Sequence, residues 1–304
     1  MCKLFNPFDF QTGFFYKINL KMIKIAIQKS GRLNQESLKL IKDCGINFEI
    51  YRDQLKIISK DYPVEIYFLR NGDIPKYLND GVIDVAIIGE NTLHERGYQF
   101  KILERLGFAK CRVSIAVQND FKYRDKSDLN NLRIATSYPN TLKKFLEKEN
   151  IKCDLHIING SVEISPSMGL ADAVCDIVSS GSTLFENKLV EVIKLLDSEA
   201  VLVQSGKVKK EINAEIKNFT FRIRSVLLAR KFKYILMNAP NKSINKISEI
   251  LPVLKSPTVL PLAKEGWSSI HSVINYEDFW NIIDKLKKEG AEDILVCPIE
   301  KMVL

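Results

Sequence analysis

The residues with the most chemistry in them lie in one short run. Asp176-Ile177-Val178-Ser179-Ser180-Gly181-Ser182-Thr183 carries an apolar strand into small and hydroxyl residues, with a helix signal from about Thr183. Backbone N–H groups at the start of such a helix, with Ser and Thr hydroxyls beside them, make a cradle for a phosphate. Gly181 would let the backbone approach a ligand closely. Asp172 and Asp176 come just before. Two carboxylates ahead of a phosphate loop could hydrogen-bond ribose hydroxyls or help hold a hydrated Mg²⁺. The plain alternative is a βα turn with a Ser/Thr N-cap, and from form alone the two readings stand level.

A second segment, Gln28-Lys29-Ser30-Gly31-Arg32-Leu33, ends the first strand. Lys29 and Arg32 could reach phosphates bound in a cleft; alone, the segment reads as a basic turn. Small polar residues also follow strands at Gly89-Glu90-Asn91, Thr136-Ser137-Tyr138-Pro139 and Asn159-Gly160-Ser161-Val162-Glu163, and Arg112 begins a strand over 112–117. Singly each is weak, since Asn-Gly is usually a turn. Their joint position at strand ends, where open α/β sheets bind ligands, gives them weight.

These segments need elements to position them, and the apolar periodicity supplies strands at 23–28, 64–69, 82–88, 133–136, 155–158, 175–179, 190–196 and 200–204. Asn34 is read as a helix N-cap with Leu33 and Leu38 as a hydrophobic staple and Gly45 as the stop. Asp73 is read as capping a short helix with Pro75 in its first turn and Gly81 at its end. A further helix is expected over 139–149. Repeated β–loop–α units predict mainly parallel sheets, too many strands for one small sheet, and hence two α/β lobes facing across a cleft. Residues 208–230 read as one amphipathic linking helix. Beyond it, strands at 232–238, 258–262, 268–274 and 293–297 with helices at 243–251 and 276–288 give the order βαββαβ, a ferredoxin-like arrangement. No acid/base pair or glycine-rich loop stands out there, so this unit is expected to bind a small effector or a partner.

At 304 residues the chain suits two or three domains. A net charge of +8 fits polyanionic ligands such as nucleotides. It would equally fit nucleic acid, but no helix-turn-helix, RNA-binding aromatic motif or zinc-finger spacing favours that, so no nucleic-acid partner is expected. The six cysteines form no C-x-x-C pair and read as reduced thiols of a cytosolic protein. The three histidines are far apart, which argues against zinc. No apolar run reaches the roughly 18 residues that span a bilayer, so no membrane partner is expected. Residues 1–21 lack a continuous apolar signal core and read as a dispensable extension.

Taken together, IAIQKSGRL, DVAIIGEN, RIATSYP, NGSVE, GLADAVCDIVSSGSTL and the closing VCPIEKM resemble, in the right order, segments of the ATP phosphoribosyltransferase family in its long, self-regulated form. The resemblance covers about residues 22–304. The family's phosphate loop usually carries Thr and Ala where this chain has Ser180 and Ser182.

The resemblance implies a catalytic unit built like a type II periplasmic binding protein. Lobe I would be 22–115 plus 195–220, lobe II 116–194, and a C-terminal histidine-sensing domain 221–304. It implies a cytoplasmic enzyme that assembles as dimers and hexamers, uses Mg²⁺, and displaces pyrophosphate from phosphoribosyl pyrophosphate (PRPP) with N1 of the adenine of ATP, the first step of histidine biosynthesis. Ser179, Ser180, Gly181, Ser182 and Thr183 would then hold the 5′-phosphate of PRPP. Asp172 and Asp176 would face the ribose hydroxyls or Mg²⁺. Lys29, Arg32 and Arg112 would steady the pyrophosphate and ATP phosphates. Glu90, Tyr138 and Glu163 would line the cleft, with Arg32, Glu163 and Asp176 nearest the chemistry. L-histidine would bind at Asn238 and Ala239 and along Thr258, Leu260, Leu262 and Ala263. The rivals are a non-catalytic solute-binding or sensing protein on the same fold, and another PRPP-using enzyme.

Overall fold

The computed structural model describes residues 22–51, 54–251 and 256–303. The extension read at residues 1–21 lies outside them.

The first lobe is built on β1 (Ile23–Gln28), β2 (Lys56–Ile58), β3 (Val64–Leu69), β4 (Val85–Gly89), β5 (Lys101–Arg105) and β11 (Ala200–Gln204), in the order β2-β3-β1-β4-β11-β5. β1 pairs in parallel with both β3 and β4, whereas β11 runs antiparallel to β4 and β5. VAIIG, and IKIAIQ beyond its exposed Lys24, are apolar on both faces because helices cover both sides. Ile23, Ile25 and Ile27 pack toward helices α1 (Arg32–Asp43) and α6 (Asn213–Arg230). Ala26 faces the other way, with residues of α2 (Ile74–Asp80) and α3 (Glu90–Arg96).

The second lobe holds β6 (Cys111–Gln118), β7 (Arg133–Thr136), helix α4 (Pro139–Glu149), β8 (Asp154–Ile157), β9 (Ala173–Val178), helix α5 (Ser182–Glu186) and β10 (Leu189–Ser198). Its sheet order is β10-β6-β9-β7-β8. The two sheets share one plan. In each, a parallel core of three strands is followed by an antiparallel strand arriving from the other lobe, β11 in the first and β6 in the second, and then by the strand that leaves. That is the type II periplasmic-binding-protein arrangement. The chain crosses between lobes twice, at residues 106–110 and at Glu199.

The third sheet is β13-β14-β12-β15, fully antiparallel, from β12 (Phe232–Pro240), β13 (Thr258–Pro261), β14 (Trp267–Asn275) and β15 (Glu292–Pro298). Helices α7 (Ile244–Ile250) and α8 (Phe279–Lys288) bury Ile247, Ile282 and Leu286 against Ile235, Met237 and Ile270. This is the ferredoxin-like βαββαβ unit.

Several boundaries differ from the sequence reading. α1 starts at Arg32, after Gly31 at φ 87°, so Asn34 is no N-cap; its Nδ2 instead donates to the Gln28 carbonyl at 2.7 Å. The divisions at 115/116 and 194/195 would cut β6 and β10, which lie entirely in the second sheet. The division at 220/221 falls inside α6, where Phe219, Ile223 and Val226 all pack into the first lobe. Helix α6 itself begins at Asn213, after a 3-10 turn at Lys210–Ile212. Among the described residues, no helix is long and apolar enough to cross a membrane.

Candidate active site

Strand β9 delivers the site. Ala173, Val174 and Cys175 are buried under the second lobe's helices, and the strand ends where the polar loop begins. That loop borders a cavity of about 220 Å³, lined among others by Glu163, Asp176, Ser179, Ser180, Gly181 and Thr183. Gly181 has φ 85°, and a Cβ there would meet no protein atom within 4 Å. The turn therefore needs glycine for its backbone, and the space beside it is open to a ligand. The Ser180 and Ser182 hydroxyls lie 2.9 Å apart. The N-cap residue of α5, Gly181, has no side chain to offer, and Ser180 Oγ accepts from the Ser182 N–H at 3.4 Å, so the remaining N–H groups of the first turn are left for another acceptor.

Asp176 points into the same cavity. Burial holds its carboxyl above the usual range, and the charge of Glu163 pushes the same way. Ser137 Oγ and the Ile177 N–H, both at 2.8 Å, work against this, and both donate to Oδ1. The result is a carboxylate with one oxygen anchored and Oδ2 accepting no hydrogen bond among the described residues. Glu163 sits on a one-turn 3-10 helix after Ser161, which adopts φ 50°. The segments after β8 and β9 thus meet in one cavity, and the loop after β7 joins them through Ser137, which holds Asp176.

Other residues lie elsewhere than expected. Asp172 precedes β9, at the opposite end from the loop, roughly 20 Å away at about 3.3 Å per residue. Its carboxylate is taken by Arg133, through Nη2 at 2.7 Å, Nε at 3.1 Å and the backbone N–H at 2.9 Å. The Arg133 side chain in turn holds the Asp172 carboxyl below its ordinary range. Asp172 is therefore a structural ion pair and faces neither ribose nor metal. Arg112 is committed to Glu191 through Nε, at 2.6 Å, and Nη2; its Nη1 donates to the Ser179 carbonyl at 3.2 Å. It braces the loop after β9 from behind. Ser114 Oγ adds 2.8 Å to the same Glu191 oxygen. Glu90 is gripped by Arg105 at 2.7 and 2.8 Å, beside the interlobe crossover. Tyr138 is 9% exposed, and its hydroxyl accepts from Asn91 Nδ2 at 2.7 Å; burial raises its phenol well above the ordinary value. Arg32 and Lys29 stand exposed at the end of β1 in the first lobe, Arg32 touching Glu36 at 3.3 Å.

In the C-terminal unit, Ala239 is buried and lies with Asn238 on the central strand β12. Asn238 is paired with both β14 and β15, whereas Ala239, past an irregularity in the β12–β15 register, is paired with Ser268 of β14. Thr258 and Leu260 are exposed on β13, an edge strand paired only with β14, and Leu262 and Ala263 follow in the turn. The sequence reading missed Arg133, Ser114 and Glu191. Glu191 was inside an expected strand, and only the β6–β10 pairing shows what it does.

Comparison with known proteins bears on this site. The sequence matches the family model described as ATP phosphoribosyltransferase over residues 70–225 and that of the HisG C-terminal domain over residues 229–301. The ATP phosphoribosyltransferase of Cytophaga hutchinsonii is 50% identical across 93% of this chain and 99% of that protein. That of Phocaeicola vulgatus is 47% identical across 93% and 100%. The solved ATP phosphoribosyl transferase (HisG:HisZ) complex from Thermotoga maritima contains a chain that superposes at TM-score 0.59 with 26% identity, covering 67% of this chain and 97% of its own. A relative half identical along nearly its whole length, and family matches spanning both the cleft and the C-terminal unit, place this chain in the ATP phosphoribosyltransferase family, in its long form.

Proposed function

We propose that this chain transfers the phosphoribosyl group of PRPP to N1 of ATP, giving phosphoribosyl-ATP and pyrophosphate. The observation that carries the reading is one cavity combining an exposed Ser/Gly/Thr loop at the start of α5 with two carboxylates. The loop takes the 5′-phosphate through backbone N–H groups and hydroxyls. Asp176 and Glu163 face the ribosyl ring, where hydroxyls need acceptors and positive charge grows as the bond to pyrophosphate breaks. The adenine N1 lone pair is free at neutral pH, so positioning and electrostatics carry catalysis without a covalent nucleophile. Lys29 and Arg32, exposed at a strand end of the first lobe, serve the ATP and pyrophosphate oxygens.

Mg²⁺ fits this donor set as a substrate-borne ion. Among the described residues no group of three His, Cys, Asp or Glu side chains forms a metal cage. A magnesium ion that keeps its waters and takes one or two carboxylates besides phosphate needs none. Asp176 through Oδ2, and Glu163, are the residues that would hold it, and the ion would neutralise charge on the departing pyrophosphate.

We further propose L-histidine as an effector at β13 and the following turn, and assembly as a homo-oligomer. Exposed Leu260 and Leu295 on the C-terminal sheet support the latter. Cys44, Cys111, Cys153, Cys175 and Cys297 are all free thiols, and burial pushes Cys44 and Cys175 up to about 12. That supports a reducing compartment, the cytoplasm. Pyrophosphate release from PRPP that requires ATP tests the reaction. Binding of a small solute with no turnover would favour the solute-binding rival.

A further inference from the structure

The two lobes are joined by more than their crossovers. Glu95, in the last turn of α3 of the first lobe, is 8% exposed. Its carboxylate accepts from the backbone N–H groups of Asn140 at 3.0 Å and Thr141 at 2.8 Å, and from the Thr141 hydroxyl at 2.8 Å. Those N–H groups belong to the first turn of α4, in the second lobe, which has no side-chain cap of its own. Asn140 Nδ2 returns a hydrogen bond to the Glu95 carbonyl at 2.9 Å. Each helix thus satisfies the orphan groups at the other's end. The negative end of α3 and the Glu95 charge meet the positive end of α4. Beside this pair, Asn91 bridges the lobes again. Its Nδ2 donates to the Tyr138 hydroxyl, and its backbone N–H donates to Ser198 Oγ at 2.9 Å.

This ties α3 of the first lobe to the start of α4 in the second. An α4 N-terminus after β7 would otherwise offer N–H groups to an anion, and here a protein carboxylate fills it. The turn after β1 and the loop after β9 are left exposed. We propose that Glu95 is a positioning residue: as the interlobe cap of α4, it sets the angle at which the β9 loop and Asp176 face the first lobe, and it confines substrates to the other side of the cleft. The proposal deepens the phosphoribosyl-transfer reading and rests on it only for its kinetic consequence.

Two readouts test it on the full-length protein. The first is hydrogen exchange at peptides covering residues 138–146. Glu95→Ala and Glu95→Gln should both speed exchange there, with the cores of the separate lobes unchanged. The second is steady-state kinetics. Glu95→Ala should lower kcat/KM for both PRPP and ATP roughly tenfold to a hundredfold, because misaligned lobes misplace one reactant against the other. Glu95→Gln, which keeps one acceptor oxygen, should fall between. If Glu95→Ala does not fold, Glu95→Gln and Thr141→Val, which deletes one of the donors, carry the test. Variants that exchange and turn over within twofold of the parent overturn the proposal. So do variants that melt earlier yet keep parental KM and kcat below their melting range, since the contact would then be structural only. A parent protein inactive on PRPP and ATP, with the exchange effect present, would keep the interlobe cap and remove the reaction.

Discussion

Asp176 is placed to favour function over stability. Its carboxyl is raised, so between the unfolded and folded values the native state binds the proton more tightly than the unfolded chain does. Stability therefore falls as pH rises through that window, and at neutral pH the buried charge is a net cost. Asp176→Asn should melt no lower than the parent at pH 7, and higher if Ser137 keeps its hydrogen bond, while kcat falls about tenfold or more. A scanning melt at pH 5 and pH 7 beside initial rates checks both halves; a variant that melts lower and turns over normally contradicts the assignment. Gly181→Val acts differently. A β-branched residue at φ 85° is strained, and its side chain would enter the space beside the loop. The fold should survive, with kcat/KM for PRPP down about a hundredfold or more. At this scale the sequence was informative where a residue's neighbours along the chain matter. Gly181 and the hydroxyls around it were legible. Asp172 was not, because its partner Arg133 is 39 residues away in sequence, and nothing local told a carboxylate facing a ligand from one already paired.

Strands β6, β9 and β10 act together behind the loop after β9, the proposed phosphate site. Arg112 on β6 spans Glu191 on β10 and the Ser179 carbonyl at the end of β9. A bidentate arginine holds geometry that lysine cannot. Arg112→Lys should leave the sheet folded but loosen the loop, lowering kcat/KM for PRPP about tenfold to a hundredfold. Glu191→Gln should behave alike, and the double variant should cost much less than the two losses multiplied, because both act through one contact. Independent effects in such a cycle would separate Arg112 from Glu191. Elements were legible where periodicity was strong. Residues 133–136, 139–149 and 200–204 match β7, α4 and β11 residue for residue. The sequence reading did not find β2, β5 and α3. β2 is only three residues, β5 is a largely exposed edge strand reading KILER, and α3 starts directly from β4 with Gly89, which has no side chain, at its N-cap. Asn34 misled for a related reason: the left-handed Gly31, which no pattern marks, starts α1 earlier.

Over the whole molecule, two lobes of one strand plan surround a cleft, and a third unit follows helix α6, which is anchored in the first lobe's core. Any effector on the third unit must act through α6 or through contacts between copies. Histidine should inhibit without being displaced by saturating PRPP, since its proposed place on β13 is a separate sheet. Coupling in such systems is about five- to 150-fold, and any substrate whose affinity histidine lowers must lower histidine's affinity by the same factor. Calorimetric titration with and without substrates checks this; no binding at millimolar histidine would remove the effector assignment alone. The division into lobes and the βαββαβ unit were visible in the order of elements. The exact borders were not, because a strand reached by crossing between lobes has the same sequence pattern as one that stays in its own lobe. The central claim is the reaction. Purified protein incubated with ATP, PRPP and Mg²⁺ should give phosphoribosyl-ATP, identified by mass, in equal amount to pyrophosphate, and Asp176→Asn should give far less of both. Saturable binding of ATP and PRPP with no phosphoribosyl-ATP formed would contradict it.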